Sequence, residues 1–171
     1  AIFGAGPIGL SCMAAARAYG VNQIYVSEKI PERIQAAGSN GASWVGNSQT
    51  QDVVAEICGQ QMGIDIAFEC AGQQETIDQA IEVLKPGGKL MLIGIPREPR
   101  VSFSIDNIRR KEITIINVRR QNDCTQKAID MIASGKVDID FMVTHKFQFD
   151  QAKEAFDTVA SYTDGVIKAM S

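Results

Sequence analysis

The 171-residue chain is poorest in histidine: it has one, His145, together with one tryptophan and four cysteines. A His-rich metal site is thereby excluded, and a Ser-His or Cys-His nucleophile system would have to rest on that single imidazole. Cys12, Cys58, Cys70 and Cys124 lie far apart and form no C-x-x-C pair. Buried, reduced thiols in a cytoplasmic protein are the reading favoured over zinc or disulfide chemistry. No apolar stretch approaches the ~20 residues that span a bilayer, so no membrane partner is expected. The net charge is −3, which argues against general affinity for nucleic acid. A basic interval between Arg97 and Arg120 is interrupted by Glu98, Asp106 and Glu112, and it lacks the aromatic platform that single strands need.

What is present is ordinary globular material, 45% apolar and 22% charged, enough for one core without a disulfide or metal staple. Ala1-Ile2-Phe3 reads as the stub of a strand, since strands average ~5 to 6 residues. A chain that starts in mid-strand without Met is expected to be a segment of a longer polypeptide. Beyond Gly4 to Gly9 a helix runs to Tyr19. Strands are then expected at 23–28, 43–45, 64–69, 89–95 and 113–118. Helices are expected from Pro31 toward Ala37, through Val53 to Cys58, over the apolar set Ile77, Ala80, Ile81 and Leu84, and over 125–133. Lys85-Pro86-Gly87-Gly88 reads as a turn. Near-continuous apolar strands alternating with helices predict an α/β fold, a doubly wound parallel sheet of the Rossmann type, over residues 1–140. Residues 141–171 read as a separate strand-helix-strand segment.

One constellation carries chemistry. Gly4-Ala5-Gly6-Pro7-Ile8-Gly9 lies between the strand stub and a helix, and Glu28 ends the next strand 19 residues after Gly9. That is near the ~20-residue offset of a dinucleotide site. Gly4 permits the sharp turn, Gly6 lets backbone approach a pyrophosphate, and Gly9 lets the helix pack on the sheet. Free N–H groups at the helix start favour the diphosphate charge. The Glu28 carboxylate is suited to both hydroxyls of an adenosine ribose and repels a 2′-phosphate, so NAD is preferred over NADP, with Lys29 and Arg33 allowing some tolerance. Cys70-Ala71-Gly72, Gly94-Ile95-Pro96 and Arg119-Arg120 follow later strands, where an open parallel sheet has its ligand crevice. Small residues there leave room for ribose and nicotinamide, and an arginine can grip a phosphate with two hydrogen bonds.

These residues resemble the coenzyme domain of the zinc-containing medium-chain dehydrogenases, polyol branch (the sorbitol, iditol and xylitol dehydrogenases). The resemblance rests on Gly4 to Gly9, on Glu28 followed by Arg33, on Glu69-Cys70-Ala71-Gly72, on Pro86-Gly87-Gly88 and on Val143-Thr144-His145-Lys146-Phe147, and it runs over nearly the whole chain. It implies that Ile8 touches the cofactor, that Glu28 holds the adenosine ribose and that Arg33 lies over or beside the adenine. Ile93, Gly94 and Ile95 would flank the nicotinamide half. Val118, Arg119 and Arg120 match a tripeptide that is usually aromatic, Arg, Tyr in polyol enzymes; Val118 and Arg120 depart from it. The resemblance further implies hydride transfer from a polyol or alcohol to NAD. It places zinc ligands and a proton relay in a preceding GroES-like domain, with no catalytic or metal residue in this chain. His145 is then a structural strand residue. The last ~30 residues would pack toward that absent domain, and the strand at 113–118, at a sheet edge, would pair across a homodimer axis or within a tetramer.

Two other readings compete. An S-adenosylmethionine methyltransferase also uses a Pro-Gly-Gly turn before an apolar strand, but its glycine spacing is GxGxG, and no acid precedes Gly4 here. A non-catalytic dinucleotide-sensing module would share every cofactor-binding residue named above.

Overall fold

In the computed structural model, which describes residues 1–60 and 62–171, the sheet grows outward from the apolar stub that opens the chain. β1 (Ile2–Phe3) is buried and pairs in parallel with β2 (Tyr25–Glu28) on one side and β4 (Ile64–Glu69) on the other. β3 (Trp44–Asn47) lies beyond β2, while β5 (Leu84–Leu92) and β6 (Thr114–Asn117) lie beyond β4. The order β3-β2-β1-β4-β5-β6, parallel throughout, is the expected doubly wound sheet.

Neighbouring strand residues face opposite sides, and both sides are covered. Phe3 and Tyr25 join Val53 and Ile57 of α3 (Val53–Gln60) and Ile77 and Ile81 of α4 (Gln74–Val83) in one core. Ile2 and Val26 join Leu10 and Met13 of α1 (Pro7–Ala18) and Ala37 of α2 (Pro31–Ser39) in a second core on the other face. Met142 and Ile167, from the C-terminal part of the chain, complete it. Proline opens both α1 and α2, where its missing N–H costs no helical hydrogen bond.

Several expected boundaries move. Leu84 pairs with Ile64 and pairing resumes at Lys89 with Ile66, so 85–88 bulge out of the strand. Gly87 takes φ +77° there, and its N–H donates to the Lys111 carbonyl at 2.7 Å. β5 ends at Leu92 rather than Ile95, because the Ile93 and Gly94 N–H groups both turn to the Glu69 carbonyl, each at 2.9 Å. A short α5 (Ile105–Arg110) precedes β6 where no helix is expected. After α6 (Thr125–Ala133) the extended run expected over 141–149 is broken by turns of 3-10 helix at Asp140–Met142 and Phe149–Gln151. Between them β7 (Val143–Lys146) pairs in parallel with β8 (Lys168–Met170), and α7 (Ala152–Ser161) lies between those two strands in sequence. The cysteines are less buried than expected: Cys12 and Cys70 are half-buried, and Cys58 and Cys124 are exposed. Cys58 sits on the solvent side of α3 and Cys124 caps α6, which buries no residue.

Candidate functional site

At the sheet's carboxyl end, between β1 and β4, the chain leaves for opposite faces and opens a crevice. The Gly4–Gly9 turn forms one wall. Gly4 has φ +96°, which a side chain rarely tolerates, and a Cβ on Gly9 would overlap the Gly4 carbonyl oxygen. No side chain caps α1. The first N–H groups of a helix lack intrahelical partners, so those of Ile8 and Gly9 remain available to an anion. Ile8 itself is exposed at the rim.

Glu28 closes the turn from below. It is buried, and its carboxylate accepts three backbone N–H bonds: Ala5 to Oε2 at 2.7 Å, Lys29 to Oε1 at 2.7 Å and Ile30 to Oε1 at 3.1 Å. A carboxylate offers about four acceptor directions, so one remains open, on Oε2. Lys29 is exposed beside it. Arg33, from the first turns of α2, reaches back over the glycine turn. Its Nη1 is 3.4 Å from where a Cβ on Gly6 would stand, and its Nε is buried without a hydrogen-bond partner among the described residues.

The second wall follows β4 and β5. Glu69 is almost fully buried, and its Oε1 accepts the Ala71 N–H at 2.9 Å, the Gly72 N–H at 2.7 Å and the Thr76 hydroxyl at 2.8 Å. This folds Cys70-Ala71-Gly72 back against Gly4, whose missing Cβ would meet Ala71 at 3.1 Å. A Cβ on Gly94 would strike the Gly72 backbone, so the Ile93-Gly94-Ile95 segment packs against that loop. Ile95 is exposed. The Val118 N–H bonds the Leu92 carbonyl at 2.9 Å, ending β6 beside this wall, and Arg119 and Arg120 continue outward, exposed.

Every residue expected at the site thus follows the carboxyl end of a strand or begins a helix there. Gly4, Gly6, Pro7, Ile8, Gly9, Glu28, Arg33 and Ala71 form one connected group, and Gly72, Ile93, Gly94 and Ile95 another, joined through the Cys70–Gly72 loop. Glu69 organises that loop; β4 also carries Asp65, so charge alone does not single Glu69 out in the sequence. The half-buried Cys12 and Cys70 thiols interact. Hydrogen bonding between them lowers the pKa of Cys12, while that bond and burial push Cys70 up. A separate apolar cavity of about 460 Å³ lies at the amino ends of the strands, lined by Ala1, Tyr19, Ile24, Ile66 and Phe68 among others, away from the crevice.

The sequence profile of the family described as zinc-binding dehydrogenase matches residues 7–134. The chain belongs to the zinc-binding dehydrogenase family. It is 33% identical to the sorbitol dehydrogenase of Bacillus subtilis strain 168 over 172 residues, covering 99% of this chain and 49% of that protein. Among solved structures, 2R,3R-butanediol dehydrogenase from Bacillus subtilis superposes with a TM-score of 0.89 at 30% identity, covering 98% of this chain and 48% of that one. A short chain alcohol dehydrogenase from Escherichia coli CFT073, solved with NADH, shares the fold at a TM-score of 0.91 and 23% identity, over 98% and 50% of the two chains. The chain spans about half the length of the curated relatives it matches. Within this zinc-binding dehydrogenase fold, His145 lies on β7 with Nδ1 2.9 Å from Thr144 Oγ1 and Nε2 3.2 Å from Asp164 Oδ2. Among the described residues no group of three or more His, Cys, Asp or Glu side chains is placed to hold a metal. No helix among them is long and apolar enough to cross a membrane.

Proposed function

We propose that this chain is the NAD-binding half of a cytoplasmic, zinc-dependent polyol or alcohol dehydrogenase. The observation that carries this reading is the convergence, at one end of the sheet, of the uncapped α1 N-terminus, the side-chain-free Gly6 beneath the Arg33 guanidinium and the Arg33 Nε, which has no hydrogen-bond partner among the described residues. Bare glycine backbone, helix N–H groups and an arginine suit a nucleoside diphosphate and its base. NAD, when bound, supplies the acceptor for a hydride from a secondary alcohol. The α1 N–H groups bind the pyrophosphate, with Arg119 and Arg120 near the phosphates, and Glu28 accepts a ribose hydroxyl through its open Oε2 direction. Ile8, Gly72, Gly94 and Ile95 exclude water around the nicotinamide half, with Ile93 and Val118 behind them.

The zinc ligands, the proton relay and the alcohol site belong in this reading to a preceding domain on which residues 141–171 pack, so the chain by itself binds NAD and oxidises nothing. Among the described residues β6 is paired only on its β5 side, and its other edge joins a second copy in a homodimer; a monomer by light scattering at micromolar concentration would refute that. The functional test is a comparison of NAD with S-adenosylmethionine by thermal shift and calorimetry. NAD is expected to raise Tm and S-adenosylmethionine to leave it unchanged; the reverse sinks the reading. Glu28→Ala should weaken NAD more than NADP, and equal losses would count against its ribose role.

A further inference from the structure

We infer that Tyr162, contributed by the C-terminal segment, is a cofactor-positioning residue: it stacks on Arg33 and holds that guanidinium over Gly6, where the adenosine half of a dinucleotide lies. The inference rests on the NAD-binding reading above and goes beyond it by drawing α7 and its C-cap into the site.

Three features support it. The guanidinium carbon of Arg33 stands 5.0 Å from the centroid of the Tyr162 ring, within cation–π range. Tyr162 is presented at an unusual angle, because it caps α7 in the left-handed region at φ 52°, ψ 38°, a conformation that a tyrosine rarely adopts. The loop that carries it is fixed at its far end. Gly165 approaches α2 so closely that a Cβ there would sit 3.0 Å from Glu32 Cγ, and the next two residues, Val166 and Ile167, are buried.

A free arginine samples many rotamers, and binding must then immobilise it. Here the ring removes that freedom in advance. The guanidinium edge lies toward Gly6, and Nε is buried with no hydrogen-bond partner among the described residues; in this inference the purine stacks on the face away from Tyr162. A planar cation between a phenol and an adenine is a favourable three-layer arrangement. Nothing in the sequence pattern points to it, since residues 33 and 162 are joined only by the fold.

The test is calorimetry on the chain and its Tyr162→Phe, Tyr162→Asn, Arg33→Ala and Arg33→Ala/Tyr162→Asn variants, with NAD, AMP and nicotinamide mononucleotide as probes. Asparagine tolerates the left-handed backbone, so Tyr162→Asn removes the ring while sparing the fold; circular dichroism melts check this. Tyr162→Asn is expected to weaken NAD and AMP by about three- to tenfold and to leave nicotinamide mononucleotide unchanged. Tyr162→Phe should stay within about twofold of the parent, because the stack survives. In the Arg33→Ala background, Tyr162→Asn should cost nothing further. Unchanged AMP binding in Tyr162→Asn, or a loss that persists without Arg33, overturns the role of Tyr162 alone. Absence of NAD binding by the parent chain overturns the proposed function and this inference with it.

Discussion

The chain up to Leu92 and the chain after it contain similar amphipathic elements that meet different fates. Among the described residues, every buried apolar side chain except Met142, Val166 and Ile167 precedes Leu92. α1 to α4 each bury residues against the sheet, whereas α5, α6 and α7 bury none. Yet Ile129 and Ile132 on α6, and Phe156 and Val159 on α7, form apolar stripes of the usual helical spacing. A stripe predicts which face a helix will bury; it does not supply the surface it is buried against. The first helices have strands beside them. β6 is the last strand of the sheet, and the helices after it find little within the chain to cover them.

The contrast is broken most directly by cutting one side chain from each region. Leu90 is fully buried in β5, and Leu90→Ala should cost about 2–5 kcal/mol in urea unfolding. A loss below about 1 kcal/mol would show that the first half is looser than its packing implies.

The same division separates what the residues reveal in order from what they reveal only when folded. The sheet, its four leading helices and the Gly4–Gly9 turn are legible because each depends on neighbours in sequence: apolar runs, glycine spacing, prolines at helix starts. The position of Glu28 was legible, but the use of its carboxylate was not, since the Ala5 donor comes from another strand's loop. Glu69 was visible only as part of a resemblance, because its three donors are gathered by a turn whose shape it determines. α5 is not legible in the sequence because six residues, three of them charged, carry too short a pattern. Cys58 is exposed although Ile57 beside it is buried, because an apolar neighbour in sequence does not fix which way a residue faces on a helix, and Cys124 stands exposed among polar residues at the cap of α6.

The smallest expected effect is the most discriminating. Phe156 is 78% exposed on α7, so Phe156→Ser should change unfolding stability by no more than about 0.5 kcal/mol, despite removing an aromatic ring. A side chain contributes hydrophobic stabilisation only in proportion to the area it withdraws from water. A loss as large as that of Leu90→Ala would mean that α7 is covered in solution and that the two regions do not differ. In a chain long enough to match its relatives over their whole length, the same substitution acquires a cost if the additional residues cover this face. The increase in cost between the shorter and longer chains, measured by the same urea titration, would then report how much of the second half is completed from outside it.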